Sequence, residues 1–89
     1  MPLTTEQKIN LLILAGFEPY ENVDGDDGKF PRIVKKLSHG QVILWRNRRE
    51  PWTLSDYVRC DRNKPAAWDS LGVGTIPQKL IYQAIGAAS

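Results

Sequence analysis

Ile9, Leu12, Ile13 and Leu14 recur near a helical period, and Thr4 followed by Gln7 has the spacing of a capping box. This pattern predicts a helix over 5–15, with Gly16 as a left-handed stop. Phe17, Pro19 and Tyr20 then lead into Asp24-Gly25-Asp26-Asp27-Gly28, where glycines and aspartates disfavour both helix and strand and predict an acidic loop. Two β-prone runs, 30–37 and 41–47, flank His39-Gly40 and read as a hairpin in which Gly40 supplies a positive φ. In the second run Val42-Ile43-Leu44-Trp45 is nearly continuous in apolar residues, as expected of a strand covered on both faces. Residues 31–38 also fit a short helix with Ile33, Val34 and Leu37 on one face.

Arg46 to Pro51 has no periodicity and reads as a polar, basic connection. Thr53 with Asp56 repeats the capping-box spacing and predicts a helix in which Leu54, Tyr57 and Val58 share a face. Asn63-Lys64-Pro65 breaks the chain, and Ala66 to Leu71 forms a short turn of helix ending at Gly72. Thr75 caps a last helix that tolerates Pro77 in its first turn and buries Ile76, Leu80, Ile81, Ala84 and Ile85. The expected fold class is α+β: one small domain over 1–89 with an N-terminal helix, a β-hairpin and two or three short C-terminal helices.

A chain of 89 residues has room for one hydrophobic core, and 42% hydrophobic with 25% charged residues is ordinary for a globular domain. Cys60 is the only cysteine, which excludes an intramolecular disulfide and any zinc site built on several thiolates. A reducing, cytoplasmic setting is the natural expectation. The longest apolar stretch, Leu11 to Ala15, is far too short to span a bilayer, so no membrane partner is expected.

The net charge of +2 conceals an asymmetry. Residues 1–28 carry six acidic side chains against Lys8 alone, whereas residues 29–64 carry ten basic side chains against Glu50, Asp56 and Asp61. Charge segregated along a chain points to charged partners wherever folding keeps it segregated.

Candidate chemistry is sparse. His39 is the only histidine, and its place in a turn accounts for it without catalysis. Neither it nor a Cys60–His39 pair has the motif of a nucleophile with its base. In the acidic loop Asp24 and Asp26 fit a calcium loop, but Gly28 takes the third ligand place and Lys35 stands where the closing glutamate belongs. No glycine pattern leads from a strand into a helix to cradle phosphate. Leu71-Gly72-Val73 resembles the turn of a helix-turn-helix motif, with Trp68 where that motif wants a small residue and Gln78 where it wants an apolar one. No enzyme, metal or cofactor is expected.

What remains is a mixture of cations and aromatic rings: Arg46, Arg48, Arg49, Arg59, Arg62 and Lys64 interleaved with Trp52 and Tyr57, near Trp45 and Trp68. Guanidinium groups neutralise phosphates and aromatic faces stack on bases, so this segment is expected to contact nucleic acid, chiefly through phosphates. The alternative is a protein-binding regulator or inhibitor, of the kind common among bacterial and phage accessory proteins. It would dock on an acidic protein surface through the same tryptophan, tyrosine and arginines.

Overall fold

The capping box forms as its spacing predicts. Thr4 Oγ1 accepts from Gln7 N at 3.1 Å, Gln7 Oε1 accepts from Thr4 N at 2.9 Å, and α1 runs Thr5–Leu14. Gly16, at φ 95°, turns the chain out of the helix, and Lys35 donates its ammonium to the Ala15 carbonyl at 2.6 Å. A cation at the C-terminal end of a helix satisfies an orphan carbonyl and opposes the helix dipole.

This computed structural model describes residues 1–23, 29–47, 49–59 and 62–89. The acidic loop expected at 24–28, with Arg48, Cys60 and Asp61, lies outside the described residues. Among the described residues five strands follow α1, β1 (Glu18–Val23), β2 (Lys29–Leu37), β3 (Gly40–Trp45), β4 (Thr53–Ser55) and β5 (Asn63–Pro65), and then α2 (Gln78–Ala87). All pairings are antiparallel, and the spatial order is β4-β3-β2-β1-β5. β1 to β4 therefore form a meander, and β5 returns to the far side of β1. The connection from β4 to β5 carries the chain from one sheet edge to the other.

Strand periodicity divides the sheet into two faces. Ile33, Val42 and Leu44 meet the helices, joining Leu12, Phe17, Trp52, Val73, Ile76 and Ile81 in the core. Leu12, Ile33, Leu44, Ile76 and Ile81 are each 0% exposed, and burying one such side chain is worth roughly 1.5–3 kcal/mol. Phe30, Arg32, Val34 and Lys36 of β2 point to the second face, beside Ile43 and Trp45 of β3 and Tyr20 and Asn22 of β1. Val58 lines a cavity together with Val34 and Ile43, so the β4–β5 connection passes over this second face. The apolar run of β3 is thus covered on both sides: Val42 and Leu44 by helices, and Ile43, 3% exposed, on the second face.

The α+β class holds, while the helix count does not. Residues 29–37 are a strand along their whole length, which removes the helical reading of 31–38. Ser38 and His39 form the hairpin turn, with Gly40 (φ 157°) already paired to Leu37. The helix expected after Thr53 is replaced by β4. Leu54 faces Leu44 across the pair, and Trp45 Nε1 donates to Ser55 Oγ at 3.0 Å, so edge pairing outcompetes the capping box. Tyr57 is 71% exposed and does not share a buried face with Leu54. Ala66 to Leu71 yields one 3₁₀ turn, Trp68–Ser70, and a second, Val73–Thr75, follows Gly72. Neither is a helix that could pair with α2, so the helix-turn-helix likeness ends there. The last helix starts later than expected, with Pro77 at its N-terminus, yet buries Ile81 and Ala84 as predicted. β5, where a chain break was expected, and β1, for which no element was predicted, gain pairing partners only once the sheet is assembled.

Candidate nucleic-acid interface

The register sets where each basic residue stands. Trp45 pairs with Arg32, Val23 with Lys29, and Asn22 with Asn63. The ends of β1 and β3 and the starts of β2 and β5 therefore lie at one end of the sheet. Arg46 and Arg49 sit on the β3–β4 connection that leaves this end, closed by a turn in which Glu50 N donates to Asn47 O at 2.8 Å. Arg62 immediately precedes β5, and its carbonyl accepts from Val23 N at 3.0 Å. Arg49, Arg62 and Lys29 are exposed and Arg46 is half-buried. From β3 to β5 is three strand spacings, roughly 14 Å, so these cations span the sheet end as a row. Among the described residues, Lys29 is engaged there by an acid, 3.6 Å from Glu21.

The other expected site residues fall elsewhere. Arg59 is exposed on the β4–β5 connection, and Lys64 is exposed on β5 opposite Glu21. Tyr57 stands at the far end, beside the His39 turn and the C-terminus in a groove of about 600 Å³. Trp52 is withdrawn altogether: it is 7% exposed, belongs to the main core, and donates its indole N–H to Thr75 Oγ1 at 2.9 Å. An indole anchored this way cannot stack on a base. Arg48 lies outside the described residues.

Sequence reasoning passed over Arg32, the most buried cation among the described residues at 3% exposure. Its guanidinium Cζ lies 5.1 Å from the Trp45 ring centroid and 5.9 Å from that of Phe30, within the range where a cation is held by an aromatic face. Its terminal nitrogens donate to the carbonyls of Pro31 and Arg46 at 3.0 and 3.2 Å and to Asn47 Oδ1 at 3.2 Å. Arg32 thus fixes the root of the connection that carries Arg46 and Arg49. The signal was present in the alternation of β2, which puts Arg32 on the same face as Phe30 and Val34.

On the same face, where Tyr20 of β1 pairs with Arg32, the Tyr20 hydroxyl donates to Glu18 Oε2 at 2.6 Å. That hydrogen bond to a carboxylate, with partial burial and the nearby negative charge, raises the phenol above its usual 10.0. Among the described residues no group of three or more His, Cys, Asp or Glu side chains is placed to hold a metal ion, and no helix is long and apolar enough to cross a membrane. No family model matches the chain, and comparison with curated proteins and with solved structures returns no significant match.

Proposed function

We propose that this chain is a non-enzymatic binding domain that contacts nucleic acid through phosphates, using Arg46, Arg49 and Arg62 with Lys29 beside them. The observation that supports this reading is the register, which brings basic residues from separate connections into one row at one end of the sheet. A row of roughly 14 Å matches about four nucleotide steps of 3.4 Å along one strand. Neither helix has the makings of a base-reading element. Lys8 of α1 is buried, and Lys79 is the only cation of α2. Contacts confined to phosphates position a protein without selecting sequence.

Counterion release supplies the test. Fluorescence anisotropy with labelled duplex and single-stranded oligonucleotides should give micromolar-range affinity at low salt, weakening steeply as salt rises. Replacing Arg46, Arg49 and Arg62 together by alanine should lower the log–log salt slope by about 2–3. Binding whose slope is unchanged in the triple variant would remove the row from the interface.

The protein-partner reading is favoured by a different surface. Leu14 is 85% and Tyr82 51% exposed on the outer side of the helices. Together with Leu3 and Leu11 they border a depression of about 330 Å³, and exposed apolar residues so grouped are a recurrent mark of protein contacts. Loss of partner capture by Tyr82→Ala, with oligonucleotide binding intact, would favour that reading.

A further inference from the structure

Charge is nearly absent from the outer side of the helix layer. The chain carries 12 basic and 10 acidic side chains, yet the two helices hold only Glu6, Lys8 and Lys79. Lys8 is buried against the Gly74 and Ile76 carbonyls, which leaves Glu6 and Lys79, opposite in sign. Around them stand the exposed amides Gln7, Asn10 and Gln83 and the exposed apolar side chains Ile13, Leu14 and Tyr82. Leu14, 85% exposed, borders the depression of about 330 Å³, whose walls include the half-buried Leu3 and Leu11. The Leu3 wall is fixed in place: its N–H donates to Gln78 Oε1 at 2.7 Å, tying the segment before α1 to the start of α2. Exposed apolar side chains grouped on a face without net charge mark a contact surface.

We propose that this face pairs with a second copy of the chain across a two-fold axis. A two-fold contact sets each patch against its own image, so charge of a single sign would repel itself there. This face escapes that repulsion. Its two exposed charges cancel, and carboxamides, each carrying both donors and an acceptor, satisfy one another in the image. Shape is self-complementary in the same sense: each copy offers a protruding Leu14 and an open depression beside it. A cavity of about 150 Å³ holds benzene, so about 330 Å³ admits a leucine side chain. Area then sets the strength. Two helices of ten residues, each about 15 Å long and roughly 10–12 Å wide, present a footprint of roughly 300 Å². A stable interface takes about 800 Å² from each partner, so the dimer is weak, with a dissociation constant on the order of 10–1000 µM. The proposal names the occupant of the surface on which the protein-partner reading rests, and the nucleic-acid reading does not depend on it.

The test is sedimentation velocity of the full chain from about 10 µM to about 1 mM, where monomer should give way to dimer with no larger species. Being apolar, the contact should persist or tighten when sodium sulfate is added. Leu14→Glu and Tyr82→Glu each set like charges against one another across the axis and should weaken the dimer about tenfold or more. Both side chains are exposed, so the variants should keep the fold, which circular dichroism checks. Tyr57→Glu alters a still more exposed ring, in the groove beside His39, and should associate like the wild type. A chain that stays monomeric throughout leaves the face to a foreign protein and overturns the proposal. So do larger species without a dimer plateau, association that neither helix-face variant weakens, or a Tyr57→Glu variant weakened as much as they are. Oligonucleotide binding, measured on dilute monomer, does not enter any of these results.

Discussion

Lys8 shows how a single residue is reassigned by the fold. In the sequence it is the lone cation of an acidic segment; in the structure it is 8% exposed, and its ammonium donates to the Gly74 and Ile76 carbonyls at 3.0 and 2.6 Å. It clamps α1 to the turn that precedes α2. Lys8→Met keeps the apolar stem and leaves two carbonyls short of a donor, so it should cost about 1–3 kcal/mol, measured as a lowered urea midpoint at constant slope. Tyr20 is a second case. Its phenol is raised above 10.0, first by the Glu18 hydrogen bond. A raised folded-state value means that the neutral form is favoured by folding. Its contribution to stability is present below about pH 10 and is lost as the pH climbs through the folded-state value. Absorbance titration should show one late-titrating tyrosine in the wild type, and Glu18→Gln should return it toward the ordinary range; identical curves for the two proteins would remove the hydrogen bond as the cause.

At the scale of elements, turns and edges decide what periodicity leaves open. Gly72 sits at φ 69° and ψ 37° between the two 3₁₀ turns, where a Cβ would meet only Thr75 Oγ1 at 3.7 Å. The penalty for Gly72→Ala is therefore conformational, about 1–2 kcal/mol, and should appear as a lower denaturation midpoint with an unchanged fold by circular dichroism. α1, the β2–β3 hairpin and the buried stripe of α2 were legible in the sequence because each carries its own local signal: a capping box, a turn between apolar runs, a helical period. β4 and β5 were not, since strands of three residues take their conformation from the neighbours that pair with them. Trp52 was misjudged for a related reason. Its flanking arginines suggest a surface, while the Thr75 hydroxyl that receives its indole N–H lies 23 positions away. The basic row was legible as composition and became a row only through the register, which no local pattern encodes.

The whole molecule is a helix layer on one face of a sheet, with a connection drawn across the other. Its shortest dimension, 20 Å, matches two layers of about 10 Å each. The topology then leaves the candidate surfaces at the periphery. The core occupies the helix side, the cavity lined by Val58 lies under the crossing connection, and the basic row stands at one end of the sheet. The sequence also carries Asp24, Asp26 and Asp27 between Val23 and Lys29. Carboxylates carried by the same chain lower the field of the row, which makes weak, salt-sensitive binding the expectation. Replacing these aspartates by asparagine should tighten oligonucleotide binding at low salt severalfold, with the gain vanishing near 1 M salt, as read by anisotropy. The most direct test of the account is where nucleic acid touches the chain. Amide shifts mapped during titration with a short oligonucleotide should concentrate at Lys29, Arg46, Arg49 and Arg62 and leave Leu14 and Tyr82 unmoved. Shifts concentrated on the outer side of α1 and α2, or none at low salt, would contradict it.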